Sequence, residues 1–189
     1  RTVNLTFFVD PGRRVYVRRI TFNGNYMTSG EVLRREMRQM EAGWYSSSKV
    51  ERSKVRIQRL PYIVSVNVDT KRVAGSEDQV DLDVAVEERL AGSFTVGAGY
   101  SQTEGLTLNF GITQENFKGT GKNVSAQVSA SKSTQNINLS YTNPYYTIDG
   151  VSRSLSAYYQ STDTTDLNIS TFIADRKGLG MSFGVPLTE

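Results

Sequence analysis

Between Gly92 and Thr142 the side chains change character at nearly every step. Leu106, Leu108, Phe110 and Ile112 alternate with Thr107, Asn109, Gly111 and Thr113. Val124, Ala126, Val128 and Ala130 alternate in the same way with Ser125, Gln127, Ser129 and Ser131. A period of two gives a strand with one apolar and one polar face. Soluble strands usually carry Lys and Glu on the wet face, whereas these carry Ser, Thr, Asn, Gln and Gly. Segments of about ten residues with small neutral groups opposite hydrocarbon are the pattern of a transmembrane β-barrel.

The pattern extends in both directions. Phe94, Val96, Ala98 and Tyr100 alternate with Thr95, Gly97, Gly99 and Ser101 in a first strand. Ile137, Leu139 and Tyr141 belong to a fourth. Leu155, Ala157 and Tyr159 form the apolar face of a fifth, interrupted near one end by Arg153. Leu179, Met181, Phe183 and Val185 face away from Gly180, Ser182 and Gly184 in a sixth. Asp166–Ala174 has no clear period. Asn116–Gly121 and Asn143–Gly150 read as turns. Tyr100, Phe117, Tyr141, Tyr145, Tyr146, Tyr158 and Tyr159 lie near strand ends, where an interfacial girdle places aromatics.

Charge divides the chain. Residues 1–91 hold 16 Lys and Arg and 12 Asp and Glu, and residues 92–189 hold 6 and 7. A domain boundary is therefore expected at residues 90–91. There is no Cys and no His. That excludes disulfides, thiol nucleophiles, His-based acid–base chemistry and the usual zinc sites. No Gly-rich phosphate loop follows a strand and the carboxylates are scattered. No catalytic residue, metal site or cofactor is expected, and an enzyme is the least favoured class. No apolar run is long enough for a membrane helix.

The first half reads as a mixed α/β module. Val3, Leu5, Phe7 and Val9 alternate up to the stop at Asp10-Pro11-Gly12. Val3-Asn4-Leu5…Val9-Asp10 lines up with Val80-Asp81-Leu82…Val86-Glu87 at an offset of 77 residues. That suggests a tandem module, with residues 1–12 ending a preceding copy and residues 13–90 forming a whole one. Within it, Val15–Phe22 is a predicted strand. Thr28 with Glu31, and Ser48 with Glu51, have the spacing of capping boxes. Leu33, Met37 and Met40 recur at helical spacing up to Gly43, and Val50, Ile57 and Leu60 mark the buried side of a second helix. Tyr62–Asp69 and Gln79–Glu87 are two further predicted strands. The order is β-α-α-β-β, a three-stranded sheet covered by two helices.

Two charged features stand out. Arg52, Arg56 and Arg59 form a basic stripe, either a solvated helix face or a dock for acidic groups. Nucleic acid is disfavoured, because no aromatic side chains interleave to stack on bases. Arg34-Arg35-Glu36-Met37-Arg38-Gln39-Met40-Glu41 crowds both signs of charge and two methionines into one segment. It suits either ordinary helix pairing or a protein-docking surface.

Six strands alone make an incomplete barrel. Single-chain barrels begin at about eight strands. An open sheet in lipid leaves roughly ten unpaired backbone groups per edge, at several kcal/mol each. Further strands beyond Glu189, or other chains, are expected to complete it. Arg1 is likewise expected to follow a cut or processing site.

Arg34–Glu41, Pro11-Gly12-Arg13-Arg14, Asn116–Gly121 and Asn143–Gly150 together resemble the BamA family of outer-membrane β-barrel assembly factors. The resemblance covers essentially the whole chain. It makes residues 13–90 similar to the fifth POTRA domain of that family, and residues 91–189 similar to the N-terminal part of its transmembrane barrel. It implies an outer-membrane location with residues 1–90 in the periplasm and both turns facing the periplasm. It further implies that the protein folds and inserts other barrels, with Arg34 and Glu41 docking a BamD-like lipoprotein. Other assembly-machine subunits, unfolded outer-membrane clients and membrane lipid are the remaining implied partners. The first strand, with Phe94, Val96, Gly97, Gly99 and Tyr100, would form one side of a lateral seam and template client strands. Gly97 and Gly99 either loosen that strand for close backbone approach or fill a narrow interior.

Two rivals remain at this level. A two-partner secretion transporter or TamA-type sibling shares the modules without needing the lipoprotein dock. A soluble β-rich adhesin or binding module would fold residues 92–189 in water.

Overall fold

The computed structural model describes residues 14–165 and 172–187. The chain divides into two compact units, Arg1–Asn25 with Leu33–Glu87, and Tyr26–Val32 with Glu88–Glu189. The strand expected within residues 1–10 and the joint at Pro11–Arg13 lie outside the described residues.

In the first unit, β1 (Tyr16–Asn23), β2 (Ile63–Arg72) and β3 (Gln79–Glu88) make a sheet in the order β1-β3-β2. β1 runs parallel to β3, with Ile20 beside Leu82 and Phe22 beside Val84. Every second residue of β3 from Val80 to Val86 is buried, so its apolar alternation faces the helical layer. Helix α2 (Ser47–Gln58) buries Val50, Ser53 and Ile57, completing a core with Val17, Leu33, Met37, Leu82 and Val84. Each fully buried aliphatic side chain contributes about 1.5–3 kcal/mol.

The element order β-α-α-β-β is as expected, but the first helix is shorter than its sequence pattern. Helix α1 spans only Gly30–Arg34. Beyond it, tertiary bonds replace helical ones: the Arg38 and Gln39 amides donate to Ser53 Oγ at 2.7 and 3.3 Å. The Gln39 side chain, almost fully buried, donates to the carbonyls of Met40 and Trp44 and accepts from the Ser46 amide. Met37 is buried whereas Met40 is exposed, so their helical spacing does not describe one face.

Neither capping box forms as the spacing predicts. Ser29 Oγ accepts from the Glu31 amide at 3.4 Å, while Thr28 Oγ1 accepts from Asn116. The N-cap of α2 is Ser46, with no side-chain cap bond, and its hydroxyl meets Ser48 Oγ at 3.0 Å. Leu60 is half-buried. The basic stripe is also divided, because Arg56 donates twice to Glu36 Oε2 at 2.8 and 3.1 Å while Arg52 and Arg59 are exposed.

The second unit contains an antiparallel sheet in strict sequence order. Its strands are β4 (Gly92–Ser101), β5 (Gly105–Gln114), β6 (Asn123–Ala130), β7 (Thr134–Asn143), β8 (Ser152–Asp163) and β9 (Ile173–Gly184). The six predicted strands are all present. β9 begins at Ile173, inside the stretch without a clear period.

The register turns alternation along each strand into rows across the sheet. Phe94, Ile112, Ala126, Leu139, Ala157 and Leu179 form one apolar row. Ser93, Thr113, Ser125, Ser140, Ser156 and Gly180 form a neighbouring polar row, in which Ser125 and Ser140 hydroxyls meet at 2.8 Å. A one-residue slip would exchange these faces throughout, so the pattern fixes the pairing. Gly178 has a specific cause: a Cβ there would lie 2.6 Å from the Tyr158 ring. Among the described residues, no helix is long and apolar enough to cross a membrane.

Candidate functional site

Two features of the first and second units carry the expected site residues, and each is built locally. In the first unit, β3 occupies one edge of β1. The other edge of β1 is covered at its start by Ala42–Tyr45. Ala42 N donates to Val17 O, Val17 N to Gly43 O and Tyr45 N to Val15 O, at 2.8–3.0 Å. Ala42 adopts φ +60° as the chain turns into this pairing.

Further along the same edge, side chains take over. Glu41 Oε1 accepts from the Ile20 amide at 2.8 Å, and Arg34 donates to the Ile20 carbonyl at 3.2 Å. Arg34 and Glu41 pair with each other at 3.1 Å, and the guanidinium lies over the Phe22 ring at 5.4 Å. The structure therefore brings together the two predicted docking residues and uses both to satisfy an edge strand. The Ile20 amide, and then Arg34, hold the Glu41 carboxyl below its ordinary pKa. Both side chains remain about half exposed, at 51% and 41%. Their outer surfaces stay open to a partner.

In the second unit, β4 is a terminal strand of the sheet, paired only with β5 among the described residues. About half of its backbone groups point away from β5, as in any antiparallel edge. Phe94, Val96 and Tyr100 are exposed on its apolar face, with Phe94 meeting the Phe110 ring edge-on at 4.9 Å. Gly97 and Gly99 lie on the polar face. A Cβ at Gly99 would meet nothing within 4 Å, and one at Gly97 would make ordinary contact with Asn109. Crowding by neighbours therefore does not account for these glycines.

Sequence alone misses a third feature of the second unit. Asn116, at φ +59°, is buried in the turn after β5, donates to Thr28 Oγ1 at 2.8 Å and accepts from the Gly121 amide at 2.7 Å. Gly119 O accepts from the Ser29 amide, and Glu88 accepts from the amides of Met27 and Thr28. The positive φ of Asn116, Lys118, Gly119 and Gly121 shapes this turn. Asn116 and the paired glycines mark the turn in the sequence, but nothing local marks Thr28 as its partner. Among the described residues, no group of three or more His, Cys, Asp or Glu is placed to hold a metal ion.

This architecture agrees with two family models. Residues 15–89 match POTRA, the surface antigen variable number repeat, and residues 116–189 match the Omp85 superfamily domain. Together the two models account for most of the chain, with a POTRA-like repeat ahead of an Omp85-like segment.

Its particular likeness is to the outer membrane protein assembly factor BamA. The chain is 40% identical to BamA of Neisseria meningitidis serogroup B over its whole length, and spans 24% of that protein. It is 27% identical to BamA of Buchnera aphidicola, covering 97% of this chain and 30% of that one. The crystal structure of Haemophilus ducreyi BamA lacking POTRA domains 1–3 superposes with a TM-score of 0.82 at 39% identity, covering 95% of this chain and 34% of that one. CdiB from Acinetobacter baumannii shares the fold at TM-score 0.58 and 16% identity, covering 90% of this chain and 33% of that one.

Proposed function

We propose that this chain is the part of an outer-membrane protein assembly factor that joins its last periplasmic POTRA repeat, residues 13–90, to the first barrel strands, residues 91–189. The work is folding and insertion of other barrels and involves no covalent step. Barrel strands lie in the outer membrane in contact with lipid, and residues 1–90 lie in the periplasm.

The observation that carries this reading is the position of β4 at one end of an ordered six-strand sheet. An unpaired strand edge has strong hydrogen-bonding potential in lipid, because an unsatisfied backbone group there costs several kcal/mol. A client strand that adds to the edge satisfies those groups, so β4 acts as a template by β-augmentation. Phe94, Val96 and Tyr100 supply the lipid-side surface, while Gly97 and Gly99 leave the opposite face open. In the POTRA repeat, the half-exposed Arg34–Glu41 pair presents both charges to a BamD-like lipoprotein of the same machine.

The test is disulfide trapping in the full-length parent protein. Cysteines are placed singly along Gly92–Ser101 and paired with cysteines along a client's last strand. Trapping at alternate positions in a consistent register is expected. If no position traps, templating by β4 is wrong.

A further inference from the structure

On β8, Arg153 stands in a face otherwise made by Leu155, Ala157 and Tyr159, near the end of the strand that follows the Asn143–Gly150 turn. Its cross-strand neighbours are Asn143 and Phe183. The guanidinium carbon lies 4.1 Å from the centroid of the Tyr146 ring, which in turn lies 6.1 Å from Phe183. Nε is buried and has no hydrogen-bond partner. Among the described residues, no acidic side chain pairs with Arg153.

Arg153 as a whole is half-buried, so only Nε is sealed off. A donor left without an acceptor there is costly, and stacking on a tyrosine offsets only part of that cost. Stacking uses the face of the guanidinium and leaves its N–H donors directed around the edge, in the geometry that suits phosphate oxygens. Tyr146 and Phe183 are both about half exposed beside it. Aromatic rings near a strand end, next to a cation at the margin of an apolar face, match the depth of the headgroup layer.

We propose that Arg153, stacked on Tyr146 and flanked by Phe183, binds the phosphate of a glycerophospholipid at the membrane boundary. This rests on the reading that residues 92–187 span a membrane. Charge complementarity selects the occupant: the site offers a cation and an apolar flank, and a phospholipid presents a phosphodiester above acyl chains.

The experiment is native mass spectrometry of the full-length parent in detergent micelles, titrated with phosphatidylglycerol or with diacylglycerol of the same chains. Wild type is expected to retain phosphatidylglycerol preferentially. Arg153→Leu, which suits an apolar face, should weaken that binding about tenfold while leaving diacylglycerol unchanged, and Arg153→Lys should lose less. A tenfold loss corresponds to about 1.4 kcal/mol. Tyr146→Ser is a second variant that keeps the cation and should weaken binding several-fold. Equal binding of the two lipids by wild type, or full affinity in both Arg153→Leu and Tyr146→Ser, would overturn the site while leaving the barrel intact. Insertion into vesicles, read by heat-modifiable gel mobility, separates the two levels: a wild type that does not insert overturns the membrane-spanning reading and the site with it.

Discussion

The side-chain amide of Asn116 donates to the hydroxyl of Thr28 across 2.8 Å, joining positions 88 residues apart in the chain. Both side chains are buried, so neither exchanges this bond freely for water. Thr28→Val keeps the shape and removes the acceptor. A buried polar group left unsatisfied costs about 1–3 kcal/mol. The full-length protein in micelles should show a urea midpoint lowered accordingly. An unchanged midpoint would mean that the bond is redundant.

Glycines at positive φ differ in what surrounds them. At Gly75, φ +82°, an added Cβ meets nothing within 4 Å, whereas at Gly119, φ +74°, it lies 2.1 Å from the Met27 carbonyl oxygen. Gly75→Ala should cost about 1–2 kcal/mol from left-handed backbone alone. Gly119→Ala should cost clearly more, because the backbone of Met27 must move. Unfolding midpoints of the two variants, measured side by side, check the order.

Glu41 makes stability depend on acid. Its carboxyl is held below the usual value, first by the Ile20 amide and then by Arg34. A depressed folded-state pKa contributes stability above the unfolded pKa, and that contribution is lost as pH falls through the folded value. Stability should therefore decline below about pH 4.5, the ordinary carboxylate range. Glu41→Gln should remove this part of the decline in a series of denaturant midpoints against pH. An acid limb identical to wild type would show that other carboxylates set it.

The structural role of this pair and its proposed docking role can be separated by exchanging its charges. Arg34→Glu and Glu41→Arg singly place like charges at a 3.1 Å contact and should both destabilise the repeat and weaken lipoprotein capture. The double exchange restores opposite charges while reversing what a partner meets. Partial recovery of thermal stability is expected, because the ion pair returns but the bonds to the Ile20 amide and carbonyl do not, without recovery of capture in a pull-down. Recovery of capture along with that stability would assign the pair a purely structural role.

The sheet was legible because its signal has period two and repeats in every strand: Phe94, Ile112 and Leu139 align in space as their alternation requires. The β-α-α-β-β order was legible for a similar reason. What failed was local: Leu33, Met37 and Met40 have helical spacing, yet Ser53 on α2 takes the Arg38 and Gln39 amides. A serine hydroxyl supplied from another element leaves no trace in the window that sets helical periodicity. Arg34 and Glu41 could be singled out by charge, but not their bonds to Ile20. Thr28 looked like a helix cap because its real partner lies in a turn far downstream.

The partition of the chain has a consequence for the order in which it becomes native. Tyr26–Val32 is made early, ahead of most of its repeat, yet it clusters with strands that are made later. The amide of Ser29 and the hydroxyl of Thr28 wait for Gly119 and Asn116, which reach their positions only when β5 turns into β6. Contacts of such long sequence separation carry a loop-closure cost that slows their formation. Thr28 and Ser29 thus cannot complete these bonds until the chain has been made at least as far as Gly119.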